Sequence, residues 1–169
     1  SGNPFNNLSL EAQSVFIWNV VSEEEIYSLN PEAQTHLASL TKVVMALTAY
    51  EIAPEGTIII IDAESLMEEG DSGLVENEHW KLEDLIDYSL MVSSNDGASA
   101  IAGVLGATRN YSQPGLTDKE IFTNLMNRKV KEIGLSQTYF TSPTGLDRDD
   151  VIPGGQGSAR DMALLFNYI

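Results

Sequence analysis

Cysteine is absent from this 169-residue sequence. That excludes disulfides, thiolate metal sites and a cysteine nucleophile. It says little of compartment, because an exported protein need not carry disulfides. Positive charge is scarce: nine Lys and Arg stand against 25 Asp and Glu, a formal charge of −16. Binding to a phosphate backbone needs clustered Lys and Arg, so no nucleic-acid partner is expected. The acidic excess reads as solubilising charge, and Glu23-Glu24-Glu25 and Glu68-Glu69 read as solvated turns. No apolar run approaches the roughly 18 residues of a spanning helix. No basic segment followed by an apolar one opens the chain, so no signal peptide is read there. Ser1-Gly2 reads as a cloning scar, with any targeting segment removed.

What is present fits one domain able to bury a core, with an ordinary hydrophobic fraction of 43%. Residues 12–21 are rich in β-branched and aromatic side chains and predict a strand. Ser22 to Glu25 is the turn, and residues 26–29 are the return strand. From Leu40, the apolar positions Leu40, Val43, Val44 and Leu47 fall at helical spacing. That helix should stop near Ala53, since Pro54 disfavours a helical residue before it. Thr57 to Ile61 is a short β-branched run, and residues 62–80 read as polar and irregular. Helical spacing returns over 81–92, and a small-residue segment over 96–105 carries Ala98, Ile101, Ala102 and Leu105 on one stripe.

Arg109 to Leu116, with Pro114 and Gly115, reads as a loop. Thr117 and Glu120 form a capping-box pattern, and Gly134 is the expected stop of the helix they open. Residues 138–141 read as extended and Pro143 to Gly145 as a turn. Ser158 and Asp161 repeat the capping pattern at the head of a last helix, which runs into Ile169. A domain rarely ends inside an amphipathic helix, so a domain cut short is expected.

Two short motifs carry chemistry. The first is Ser39-Leu40-Thr41-Lys42. Serine is a poor nucleophile until a base takes its proton, and residues i and i+3 share a helix face. Lysine ordinarily holds its proton, with a pKa near 10.4. Burial lowers that value, and the positive end of a helix dipole should lower it further. Backbone N–H groups at the same terminus could receive an oxyanion. Taken alone, the pattern is also that of an N-cap serine followed by an exposed lysine.

The second motif is Ser93-Ser94-Asn95, between two helical segments. A tight connection there would project Ser93 and Asn95 outward. Serine can relay a proton to a leaving group, and asparagine can bind a substrate carbonyl and Lys42. The bland alternative is that these residues only cap the following helix.

Context joins the two. Ala38 to Lys42 (ASLTK), Leu90 to Ala98 (LMVSSNDGA), Phe140 to Asp147 (FTSPTGLD), Ser158 to Asp161 (SARD) and the opening hairpin resemble the low-molecular-weight penicillin-binding proteins of the D-alanyl-D-alanine carboxypeptidase type. The resemblance runs from about Leu10 to the chain end. It implies an α/β (α+β), β-lactamase-like serine acyl-transferase fold: a sheet with flanking helices and an inserted helical region. It implies removal of the terminal D-alanine from peptidoglycan stem peptides through an acyl-serine, covalent inhibition by β-lactams, no cofactor, and an extracytoplasmic location in the periplasm or at the cell surface. Ser39 matches the nucleophile and Lys42 its base, with Ser93 and Asn95 as the second catalytic element. The family's third motif, Lys-Thr-Gly, does not occur. The resemblance implies that 1–169 is a partial domain whose Lys-Thr-Gly strand lies beyond Ile169.

Two other readings stay open at this stage: a β-lactamase, and a non-catalytic cell-wall binding module that keeps the fold. If C-terminal strands are missing, the hairpin edge should pair with another chain, so self-association is expected. His36 and His79 are too isolated for a metal site, and a triad through His36 is not expected where lysine supplies the base. Asp147, Asp149 and Asp150 read as a solvated acidic loop rather than a cation site. Trp18, Trp80, Phe122 and Phe166 read as packing residues.

Overall fold

The structure is a computed structural model and describes residues 5, 9–109, 115–148 and 151–169. Ser1-Gly2, Pro114, Asp149 and Asp150 lie outside the described residues. The first two strands, β1 (Val15–Asn19) and β2 (Glu24–Leu29), form an antiparallel hairpin. Its turn is set by Asn19, whose side-chain oxygen accepts from the Val21 and Ser22 N–H groups at 3.0 and 3.2 Å. The first strand is therefore shorter at both ends than the 12–21 its apolar content suggests, and the return strand starts two residues earlier, at Glu24. Glu24 and Glu25 belong to a strand, not to the turn.

Strand β3 (Thr35–His36) leads through a 3-10 turn, Ala38–Leu40, into helix α1 (Thr41–Ile52). This helix ends where Pro54 requires, with Ala53 already extended. It is buried almost all round: Val44, Met45, Ala46 and Ala49 lie in the core, whereas Leu40 is 44% exposed. The stripe read from Leu40, Val43, Val44 and Leu47 thus picked out the element but not its buried face.

Strand β4 (Ile58–Ile60) pairs antiparallel with β5 (His79–Lys81), a partner hidden in a stretch read as irregular. Ile59 is buried while Ile58 and Ile60 face outward, the period-2 alternation of a strand covered on one face. Helices α2 (Leu82–Val92) and α3 (Asn95–Ala107) follow almost without a break. The small-residue stripe of α3 lies at the centre of the molecule, with Ala98, Ile101, Ala102 and Leu105 buried. It packs against α2, α1 and α4 (Asp118–Ile133).

The Thr117–Glu120 capping box forms in both directions, with the Glu120 N–H donating to Thr117 Oγ1 at 3.2 Å and the Thr117 N–H donating to Glu120 Oε2 at 2.8 Å. Gly134 ends α4 at φ +88°. Phe122, Met126 and Val130 seat α4 on the core.

The remaining strands, β6 (Tyr139–Phe140) and β7 (Gly155–Gly157), join β3 in the order β3-β7-β6. Helix α5 (Ala159–Tyr168) starts at Ser158, whose hydroxyl accepts from the Asp161 N–H at 3.1 Å. Asp161 does not close a capping box. Its carboxyl instead accepts from the Gln137 N–H and the Thr138 hydroxyl at 2.8 and 2.7 Å, tying α5 to the approach of β6. Helix α5 packs beneath β1. The mixed architecture holds as expected, but its strands are spread over three small antiparallel sheets around the helices.

Candidate active site

Ser39 and Ser93 are delivered by strained backbone, whereas Lys42 and Asn95 project from the first turns of α1 and α3. Strand β3 is held to β7, and the Leu37 N–H donates to the Gly155 carbonyl at 2.9 Å. Buried Leu37 anchors this entry. Ala38 then adopts φ +46°, a left-handed conformation that costs an L-residue roughly 1 kcal/mol or more. The turn puts Ser39 at the head of α1 with its side chain open to solvent. Ser93 has the second such conformation, φ +59°, between the last turn of α2 and the first of α3. The two reacting-type hydroxyls therefore sit on, or directly after, the left-handed residues of the site.

The middle residue of the second motif behaves differently. Ser94 Oγ accepts from the Gly97 N–H at 2.9 Å, so it is the N-cap of α3. The junction is tight because residue 97 has no side chain: a Cβ there would overlap Ser89 Oγ. Capping and the outward aim of Ser93 and Asn95 are thus both realised, by different residues.

The geometry brings all four residues together. Ser39 Oγ and Ser93 Oγ are 2.6 Å apart. Lys42 Nζ lies 3.2 Å from Ser39 Oγ, 2.7 Å from Asn95 Oδ1 and 2.8 Å from the Thr144 carbonyl oxygen. Lys42 is 1% exposed. Ser39, Lys42 and Ser93 open onto a cleft walled by Leu37, Leu40, Val43 and Leu90. Burial dominates the amine's electrostatics and lowers its pKa from 10.5 to about 8, against a smaller upward pull from Glu68.

The hydrogen-bond pattern dictates where a neutral Lys42 would point. Its amine would have two N–H groups and one lone pair. The Asn95 and Thr144 oxygens can only accept, so they take the two hydrogens. The lone pair is left facing Ser39 Oγ, the one partner of the three that can donate.

The Thr144 carbonyl was not foreseen, because a backbone acceptor has no side-chain signature. It comes from the Pro143–Gly145 turn, which the sequence does mark. Gly145, at φ +85°, lets that turn lie against the turn that carries Ser39: a Cβ would overlap the Ala38 carbonyl oxygen and crowd Thr41 Oγ1. Asp147 also has structural work. It accepts from the Gly154 N–H at 2.8 Å and pairs with His36 Nδ1 at 3.2 Å, bracing the same turn. His36 is thus brought to a carboxyl group, but it stands outside the Ser39–Lys42–Ser93–Asn95 cluster.

Helices and antiparallel sheets around a serine–lysine–serine–asparagine cluster define a serine acyl-transferase fold. Comparison with known proteins narrows the class. The sequence family described as D-alanyl-D-alanine carboxypeptidase, peptidase S11, matches residues 3–169. The chain is similar to D-alanyl-D-alanine carboxypeptidase DacF of Bacillus subtilis, 27% identical over 170 residues, covering 97% of this chain and 40% of the relative. It is similar in structure to the carboxypeptidase DacD from Francisella tularensis, at 26% identity and a TM-score of 0.80, covering 96% of this chain and 37% of that one. A third similarity is to penicillin-binding protein D2 from Listeria monocytogenes in its ampicillin-bound form, at 25% identity and a TM-score of 0.70, covering 96% and 63%. The chain belongs to the D-alanyl-D-alanine carboxypeptidase family, and it spans about 40% of the length of the Bacillus relative.

Proposed function

We propose that this chain carries the acylating centre of a serine-type D-Ala-D-Ala carboxypeptidase that acts on peptidoglycan stem peptides. The observation that supports it is the 3.2 Å approach of the buried Lys42 amine to Ser39 Oγ, with the amine's other two contacts on obligate acceptors. Neutral Lys42 takes the Ser39 hydroxyl proton as Oγ attacks the carbonyl carbon of the penultimate D-alanine. The C–N bond to the terminal D-alanine then breaks. Ser93, 2.6 Å from Ser39 Oγ, is placed to pass a proton to the departing amine. Water resolves the ester, returning the Ser39 hydroxyl and a shortened peptide. Asn95 aims Lys42 and offers its amide towards the substrate.

A β-lactam presents the same type of carbonyl but keeps its leaving group tethered, so the acyl-serine should persist. We further propose an extracytoplasmic location, since cross-linkable stem peptides lie outside the cytoplasmic membrane. Among the described residues, no helix is long and apolar enough to cross a membrane.

The test is intact-mass analysis of the whole protein after incubation with a labelled penicillin. A stable adduct of one penicillin per chain, mapped to Ser39 and lost in Ser39→Ala, is expected. Absence of an adduct on folded protein overturns the reading, and rapid turnover of the β-lactam without accumulation would redirect it to a β-lactamase.

A further inference from the structure

Asn95 touches Lys42 through one end of its amide and the Glu69 carbonyl through the other, Nδ2 to O at 2.6 Å. A carbonyl cannot donate, so the Glu69 contact decides which end of the amide faces the lysine. Residues 68–72 form a strap without helix or strand, and it is pinned to α3 on both sides of Glu69. At one end, the Glu68 carboxyl accepts from Ser99 Oγ at 2.8 Å and pairs with Lys119 at 3.5 Å.

At the other end, Ser72 is bound by a buried polar cluster. Its hydroxyl donates to Asp96 Oδ2 at 2.8 Å and its N–H donates to the same oxygen at 3.3 Å. Having given its only hydrogen to Asp96, Ser72 Oγ must accept from Ser94 Oγ, 2.7 Å away. The Tyr88 hydroxyl caps the Ser72 carbonyl. Asp96 is 2% exposed and is not among the residues that touch Lys42 or Ser39. Burying a carboxyl beside the site is costly unless its contacts repay it, and its partner is the strap.

We propose that Asp96 and Ser72 form a clamp that holds the Glu69 carbonyl on Asn95, and that this clamp sets the amide orientation needed to aim Lys42 at Ser39. Asp96 and Ser72 are positioning residues that act through Asn95. With the strap released, Asn95 can turn its NH2 towards Lys42. The amine's lone pair then accepts from Asn95 instead of Ser39, and the base is misdirected although every motif side chain is still present. This inference rests on the acyl-transfer reading for its catalytic consequence but not for its geometry.

Two measurements on the whole protein separate the two. The first is hydrogen exchange of the Asn95 side-chain amide, followed by NMR. The second is the kinetics of acylation by a chromogenic β-lactam, resolved into the precovalent dissociation constant and the acylation rate constant. In Ser72→Ala and Asp96→Ala, the Asn95 amide should exchange at least tenfold faster. The acylation rate constant should fall ten- to a hundredfold with the dissociation constant within about twofold of wild type. Asp96→Asn keeps an acceptor oxygen for Ser72 and should stay within a few fold of wild type on both readouts, a rescue that mere loss of stability would not show. Ser72→Ala, at a half-buried position, guards against a misfolded Asp96→Ala. Unchanged Asn95 exchange in both the Ser72 and Asp96 alanine variants overturns the clamp. So does a loss confined to the dissociation constant. A wild-type protein that takes no acyl group while its Asn95 amide still follows Asp96 overturns the acyl-transfer reading and leaves the clamp standing.

Discussion

Lys42 ties activity and stability to the same proton. With its pKa lowered to about 8, roughly a tenth of the amine is neutral at pH 7 and about 1% at pH 6, so acylation should fall close to tenfold per pH unit below 8. A lysine left at 10.5 would be neutral in only about 3 molecules per 10,000 at pH 7, so burial multiplies the competent fraction some 300-fold. The same difference is worth roughly 3 kcal/mol, and its sign follows from linkage. Between about pH 8 and 10.5 the unfolded chain holds the proton that the folded chain has released. Stability therefore rises with pH across that window, and below it the fold carries the full cost of a buried ammonium.

Replacing Lys42 with methionine removes the titration, so the stability of wild type relative to Lys42→Met should improve by about 3 kcal/mol between pH 7 and 10.5. At pH 7 the variant should melt no lower than wild type by much, because relief of the buried charge offsets the roughly 1–3 kcal/mol of an orphaned Thr144 carbonyl. The assays are second-order acylation rates from pH 5.5 to 9.5 and urea unfolding of both proteins at the two pH values. An acylation midpoint near 10.5, or a stability difference that does not change with pH, refutes the reasoning.

Gly145→Ala should abolish acylation by at least a hundredfold and lower the melting temperature by several degrees, because the added carbon meets the Ala38 carbonyl at a left-handed φ; wild-type kinetics from this variant would show that the turn does not support Ser39. Phe122→Ala empties a fully buried site beneath α3 and should cost about 3–5 kcal/mol in urea unfolding, with a loss under 1 kcal/mol contradicting the packing described. The β1–β2 hairpin pairs only with itself among the described residues, so this chain should self-associate through a strand edge; a clean monomer by light scattering at high concentration rejects that. Thr117→Ala removes the hydroxyl that accepts from the Glu120 N–H, leaves the backbone half of the capping box in place, and should cost about 1 kcal/mol, read as a lowered urea midpoint.

The helices were legible where their boundaries are written within three or four residues. Thr117 with Glu120, Gly134 and Pro54 each act on their own turn of backbone, and the structure stops or starts α1 and α4 there. Of the short strands, β4 and β6 fall inside stretches read as β-branched or extended, whereas β5 and β7 were not legible. Gly155 to Gly157 has no β-forming side chain, and it is a strand only because β3 and β6 supply ladder partners. His79 to Lys81 has one β-favouring residue, Trp80, between two polar ones, and it pairs because buried Ile59 holds β4 in place opposite Trp80.

The sequence alone named the four side chains of the site, since Ser39 with Lys42 and Ser93 with Asn95 are local patterns whose chemistry depends on residue type. The fold class came from the family resemblance that these patterns and their context carry. Only the folded chain could decide that Lys42 is dry, that its third partner is a carbonyl 102 positions away, and that a strap ending at Ser72 orients Asn95. Those features depend on which distant segments pack side by side, and a backbone oxygen leaves no trace in residue identity until the chain has closed around it.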